Sequence, residues 1–366
     1  MLCTTTKLVL VNALAKKTSL AFQGEKSMNI AQVAVRAGVS TATVSRAMND
    51  SNLVRPRTKE KVLRAIHDLG YYPNTQARAL VSGRTRMLGL VISDIINPFF
   101  PELVKSFEFA AILRGYEVIV ANTDYSSERM GTCVRRMIER KVDGVAIMTS
   151  EIEPHLLAEL SRRQLPIVFL DVGKLEPLIS VISVDYSHGI KQAVQHVISL
   201  GHERIGFISG PHSLKSARTR RIAFLKCISS CGVSHRQRIV VEGNHKIGGG
   251  EIAMTQMLSM PNPPTAVLTS NDLTAIGAMR AIHRGGLRVP EDISIVGFDD
   301  IEFSEFTQPP LTTVRLSRDE LGQKAFSALY DGLDGGIPGG QEIRISTSLV
   351  LRQSTAVPNQ ASSRRR

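Results

Sequence analysis

From Met87 onward the chain repeats one pattern: a short apolar run, then an amphipathic stretch of helical length. MLGLVIS (87–93), EVIVAN (117–122), GVAIM (144–148) and PIVFLD (166–171) have the unbroken apolar character of strands buried on both faces. Between them, the stretches near 101–114, 127–140 and 153–163 have helical periodicity. A second series, VISVD (181–185), RIGFISG (204–210), RIVVEG (238–243), TAVLTSND (265–272) and ISIVGFDD, alternates with helical stretches near 187–200, 215–231, 247–259 and 272–284. Repeated βα units predict parallel sheets with helices on both faces, and two series predict two lobes. Ligands of such sheets bind beyond the carboxyl ends of the strands. Several of these strands end in polar residues: Asp94, Asp171, Asn271-Asp272 and Asp299-Asp300. Any one of them serves equally well as a helix cap or turn former. Their recurrence at one end of successive strands predicts a shared cleft.

Ahead of this body lies MNIAQVAVRAGVSTATVSRAMN (28–49), which has the spacing of two short helices around a tight turn. Ile30, Val33, Ala34 and Ala37 form one apolar stripe, and Val39, Val44 and Ala47 another. Gly38 sits where the turn needs no Cβ, and Ser40 can cap the second helix through its hydroxyl. The outward face of that helix is Thr41, Ala42, Ser45 and Arg46, small, hydroxylated and cationic. Such a face packs a core poorly but reads base edges in a major groove well, as helix-turn-helix motifs do. A third helix from about Arg57 to Leu69 closes the head, ended by Gly70 and punctuated by Pro73. The segment Asn74–Val81, with Asn74 as its cap, is too short for a stable isolated helix. Ser82–Thr85 reads as a flexible basic joint.

The charge distribution agrees. Of the net +12, residues 28–86 contribute ten basic side chains against three acidic ones, whereas 87–363 carry 28 against 29. A basic head on a neutral body is the footprint of a nucleic-acid module fused to a partner domain. The four cysteines, Cys3, Cys133, Cys227 and Cys231, predict free thiols and neither a disulfide framework nor a zinc site. No apolar run approaches bilayer length. Residues 1–27 imitate a signal peptide only faintly and read as a disordered extension or a misassigned start. Enzyme signatures are missing: G-x-S-x-G, P-loop, H-E-x-x-H and a Rossmann glycine fingerprint do not occur. A transport-type solute-binding protein shares the two-lobed pattern, but it has no use for a basic head.

Taken together, AQVAVRAGVSTATVSRAMN, LGYYPNTQARAL, GHERIGFISGP, TSNDLTAIGAMRA, VPEDISIVGFDD and PPLTTVR resemble the LacI/GalR repressors in order and spacing over about 28–352. The resemblance implies a homodimeric transcription regulator that binds a pseudo-palindromic double-stranded operator and answers to a small effector such as a sugar or nucleoside. It would be cytoplasmic and nucleoid-associated, with no cofactor, metal or membrane partner. The implied fold is an all-α helix-turn-helix head (28–73), a hinge helix and linker (74–86) and an α/β two-lobed periplasmic-binding-protein-like domain of parallel sheets (87–352). A disordered basic tail (353–366) follows; it lacks the heptads of a tetramerisation segment.

Three crossings between lobes would give one lobe of about 87–184 plus 317–340 and another of 185–316 plus 341–352. Thr41 and Ala42 then occupy the base-reading start of the recognition helix, and Ser45 and Arg46 match positions contacting phosphate and a base edge. Leu80, with Ala77 alongside, matches a leucine wedged into the minor groove, which would fold the hinge only on DNA. Arg55 departs from the small hydroxyl residue common at its position, so it should cap poorly yet can reach a phosphate. In the cleft the matching positions are Asp171, Arg220, Asn271 and Asp299, and Asn97-Pro98-Phe99-Phe100 matches a turn whose Phe99 and Phe100 can stack on a ring. His245 and Leu316 depart from the aromatic and the polar residue that many relatives carry there.

Overall fold

The computed structural model describes residues 28–48, 53–72, 79, 83–149, 154–162, 165–233, 238–334 and 340–359. The expectations placed on 1–27, on Asn74, Ala77 and Leu80, and on 360–366 fall outside these residues. The chain divides at Arg84 into a head and a body.

In the head, helix α1 (Ile30–Ala37) opens on a reciprocal capping box. Asn29 Oδ1 accepts from Gln32 N at 3.1 Å, and Gln32 Oε1 accepts from Asn29 N at 2.9 Å. Gly38, left-handed at φ 67°, ends the helix, and Val39 N returns to Ala34 O. Helix α2 (Thr41–Met48) begins under Ser40, whose Oγ accepts from Thr43 N at 3.2 Å. Helix α3 (Pro56–Leu69) has proline at its first position, and Arg55 gives it no side-chain cap. Val33, Val44 and Val62, one from each helix, are fully buried and pack with Ala34, Ala47, Ala65 and Tyr71.

The body alternates strand and helix. The first lobe holds β1 (Met87–Ile92), α4 (Phe99–Leu113), β2 (Glu117–Asn122), α5 (Ser127–Glu139), β3 (Gly144–Met148), α6 (Pro154–Ser161), β4 (Ile167–Leu170) and β5 (Ile179–Val184). The second holds α7 (Tyr186–Ser199), β6 (Ile205–Ser209), α8 (Lys215–Ser230), β7 (Arg238–Glu242), α9 (Ile247–Leu258), β8 (Ala266–Thr269), α10 (Asp272–Arg284), β9 (Ser294–Asp299), α11 (Phe303–Phe306) and β10 (Thr312–Leu316). Helix α12 (Arg318–Leu333) then returns to pack on α4, β11 (Glu342–Ile345) joins the first sheet and β12 (Thr347–Val350) the second. The sheet orders are β11-β5-β4-β3-β1-β2 and β12-β10-β9-β8-β6-β7. One apolar cluster, including Leu88, Phe107, Phe207 and Phe298, runs through both lobes.

Three expectations need correction. The second sheet is not wholly parallel, because β12 enters from the neighbouring lobe and runs antiparallel to β10. The last crossing falls between Ile345 and Thr347, later than the boundary at 340/341: residues 342–345 pair in parallel with 181–184 of the first sheet. Finally, 353–359 do not start a disordered tail but strap the second lobe. Ser354 is fully buried; its Oγ donates to Ile295 O at 2.6 Å and accepts from Thr312 N at 2.8 Å. Ala356 O accepts from His202 Nε2 at 2.9 Å. His202 is therefore a structural anchor, and burial lowers its pKa.

Candidate DNA-reading face and inter-lobe cleft

Because Val44 and Ala47 turn inward, α2 presents Thr41, Ala42 and Arg46 to solvent and leaves Ser45 half-buried. Arg46 makes no hydrogen bond or ion pair among the described residues, so its five donors are unspent. Arg36, on the neighbouring helix, is committed to Asp68 at 3.1 Å. Arg55 is exposed just ahead of α3.

In the body, all six residues singled out for the effector line one cleft at the carboxyl ends of the strands: Phe99, Phe100, Asp171, Arg220, Asn271 and Asp299. His245 and Leu316 line it too. The cavity among them is about 60 Å3.

The first lobe supplies a mainly apolar wall. Asn97 Oδ1 accepts from Phe99 N at 3.1 Å and so sets the turn that begins α4. The rings of Phe99 and Phe100 stand edge to face, 5.3 Å apart. Ser93 and Thr149, at the ends of β1 and β3, pair at 2.7 Å. Asp171 follows β4 at φ 60°; its Oδ1 accepts from Val184 N at 2.9 Å and its Oδ2 from the Tyr186 hydroxyl. Burial raises its pKa against these bonds and against Arg220 and Lys215.

The second lobe supplies most of the charge. The Arg220 guanidinium lies on Phe298 and Tyr186, with its carbon 4.1 Å and 4.8 Å from the ring centroids. Its Nη1 donates to Ser270 O, and Nη2 stands 3.6 Å from Asp299 Oδ1. Its Nε is buried without a partner among the described residues. Burial pushes Asp299 up to about 6 against the pull of Arg220 and Arg318. His245 is pushed down to about 3 by burial, with Arg220 adding to the effect, and is therefore neutral. Only glycine fits at 210, because a Cβ there would stand 1.9 Å from His245 Nε2. Asp171, His245 and Asp299 all hold positive φ, a concentration of strained backbone around one cavity.

Asn271 has a second duty that the strand-end pattern left open. Its Oδ1 caps α10 through Thr274 N at 3.0 Å, and its Nδ2 donates to His245 O at 3.0 Å. Asp272 and Asp300 hold the lobe together. The wholly buried Asp272 accepts from Thr313 Oγ1 at 2.5 Å and Ile301 N at 2.8 Å; burial raises its pKa, with Asp299 adding. Burial opposes ionisation of Asp300 as well, but Arg315 and Arg352, at 2.6 Å and 2.8 Å, hold its pKa below the ordinary range.

Two contributors had no sequence signal. Tyr186 looks like an ordinary first residue of a helix. Arg318, on the chain returning to the first lobe, reaches Glu102 at 2.6 Å and donates to the carbonyls of Asp299 and Asp300. Among the described residues no helix is long and apolar enough to cross a membrane.

Residues 29–74 match the family of bacterial regulatory proteins of the lacI type, and 194–355 match the periplasmic binding protein-like domain. The transcriptional repressor CytR of Escherichia coli K12 is 31% identical over 331 residues, 90% of this chain and 97% of that protein. A Lac repressor dimer solved with operator and the anti-inducer ONPF superposes with a TM-score of 0.81 at 31% identity, covering 90% of this chain and all of that one. A ribose-bound regulator from Enterococcus faecium superposes at 0.68 and 29% identity, covering 75% of this chain and all of its own. Similarity of that depth runs through the head and both lobes, so the chain belongs to the LacI family and is a DNA-binding transcriptional regulator controlled by a small-molecule effector.

Proposed function

We propose that the cleft takes a neutral, hydroxyl-rich effector, a sugar or nucleoside, through Asp171, Arg220, Asn271 and Asp299, with Phe99 and Phe100 against its ring. The observation that carries this is Arg220: a guanidinium buried on two aromatic faces, with one N–H unspent beside an imperfectly paired carboxylate. Donors and acceptors alternating around one cavity suit hydroxyl groups, each of which both donates and accepts. One relative holds ribose, which supports the sugar class. Contacts from both lobes to one effector bias their relative position, and that bias is what couples effector to DNA.

The chain acts as a homodimer at the nucleoid of the cytoplasm, its two heads on a pseudo-palindromic operator. Thr41, Ala42 and Arg46 face the bases, Ser45 and Arg55 the phosphates. Leu80, Ala77 and Asn74 form the minor-groove hinge. The chain is not an enzyme. Ser270 Oγ and His245 Nε2 lie 2.8 Å apart like a nucleophile and its base, but the serine is fully buried and the histidine too weakly basic.

A thermal-shift screen of sugars, polyols and nucleosides tests the cleft: a true effector raises the melting temperature, and Arg220→Ala abolishes that rise. Selection of random duplexes tests the head. The recovered site should be two-fold symmetric, and Arg46→Ala should cost about 1–3 kcal/mol of discrimination at one base pair per half-site. Specific DNA binding that survives removal of 28–80 would sink the assignment.

A further inference from the structure

Tyr186 makes a contact that neither lobe could make alone. It is the first residue of α7, two positions past β5 and hence just beyond the first crossing. Its side chain is buried. The hydroxyl donates to Asp171 Oδ2, on the first lobe. The ring lies under Arg220 of the second lobe, 4.8 Å from the guanidinium carbon, and 5.9 Å from the Phe298 ring.

The root of this residue is tied down. Asp185 N donates to Ile345 O at 2.9 Å, Arg344 Nη2 donates to Asp185 Oδ2 at 2.7 Å, and Thr347 Oγ1 donates to Asp185 O at 2.7 Å. The first and third crossings are thus stitched together beside Tyr186, where a hinge rotation displaces atoms least.

We propose that Tyr186 is a positioning residue spanning the hinge, its hydroxyl fixing the Asp171 carboxylate of one lobe and its ring the Arg220 guanidinium of the other. The two charged groups offered to the effector then keep one relative geometry while the outer parts of the lobes move. This rests on the assignment of Asp171 and Arg220 to effector binding. The proton stays on the phenol, because burial foremost and the Asp171 charge next raise the Tyr186 pKa well above its ordinary value. The groups facing the Asp171 carboxylate are the Val184 amide, the Tyr186 hydroxyl and, as charges, Arg220 and Lys215; Lys215 Nζ donates to the Asp171 carbonyl oxygen. Beyond Arg220 stands Asp299. Among these, the Tyr186 hydroxyl and the Val184 amide are the two hydrogen-bond donors to the carboxylate, and only the hydroxyl can be deleted by a side-chain change.

The test is a titration of 13C-aspartate-labelled, unliganded full-length protein, with Asp171→Asn assigning the Asp171 resonance. Tyr186→Phe keeps the ring and deletes the donor. The expected result is an upward shift of the Asp171 midpoint, with Asp299 unmoved because the perch of Arg220 is intact. Tyr186→Leu removes ring and donor and should shift both carboxylates. It shows the same Asp171 shift should the phenylalanine variant not fold. An Asp171 midpoint unchanged in both variants overturns the proposal. So does a Tyr186→Phe variant that moves Asp299 as far as Asp171, the mark of general loosening. Since no ligand is present, a blank effector screen leaves this result standing, and the reverse holds too.

Discussion

The two lobes share a strand order, yet they bring different chemistry to the cleft. Each sheet places its first-formed strand next to last, and each is completed at one edge by a late strand from the C-terminal stretch. At the cleft, however, the first lobe offers two phenylalanines, a Ser–Thr pair and one carboxylate. The second offers Arg220, His245, Asn271 and Asp299 above a buried ionic base of Asp272, Asp300, Arg315 and Arg352. Topology fixes where a site forms, while the residues at the strand ends decide which side of a ligand each lobe grips. The apolar wall should meet a ring face and the charged wall the hydroxyls.

The comparison breaks most readily at Phe298, which is 1% exposed and carries Arg220. Phe298→Ala should cost about 3–5 kcal/mol in urea unfolding. Phe99→Ala should cost less, because the hole it leaves opens onto existing cavity. Equal losses would mean that the two walls do not differ as described. Next comes Asp272→Ala, which orphans the Ile301 amide and should cost about 1–3 kcal/mol; the first-lobe counterpart, Ser93→Ala, breaks a neutral pair worth about 1 kcal/mol.

Burial raises a carboxyl pKa on each lobe, at Asp171 and at Asp299, and the second gives the more definite pH dependence. Asp299 titrates at about 6 in the folded chain against 3.8 unfolded. Between those values the folded state holds a proton that the unfolded chain lacks. This carboxyl therefore adds stability as pH falls from about 6 to about 4, and takes it away as pH rises. Comparing unfolding across that range with Asp299→Asn should show the component vanish. The smallest effect belongs to the exposed lip, where Lys246 meets Asp124 of the other lobe at 3.7 Å. Lys246→Ala should cost under about 1 kcal/mol, and even that should disappear in high salt.

Most of this architecture is legible in the chain because buried parallel strands announce themselves as apolar runs, as β1, β3, β4, β6, β8 and β9 do; β2 and β7 read the same way although they stand at sheet edges and are only partly buried. The strands that escaped, TTVRL, EIRI and TSLV, alternate polar with apolar residues or sit at sheet edges, where one face meets solvent. The strap 353–359 was invisible for a related reason. It is held by backbone and by small hydroxyls such as Ser354, which carry no periodicity. In the cleft, residues at strand ends could be found by position. Tyr186 could not, because its role depends on a partner fifteen residues upstream and an arginine on another helix. Asn271 shows the opposite limit: the sequence offered both a helix cap and a place in the cleft, and the structure gives it both, its Oδ1 capping α10 while its Nδ2 donates to His245 O.

The three crossings have a consequence for how the protein is made. A ribosome that has reached Val184 has synthesised five strands of the first sheet but neither α12, which covers the sheet alongside α4, nor the edge strand β11. Those pieces emerge only after the whole of 185–316 has been synthesised. The N-terminal lobe, begun first, is therefore completed only after nearly all of the second lobe has been made. During that interval it waits with an open strand edge and an uncovered apolar face, the state in which nascent chains most need a chaperone.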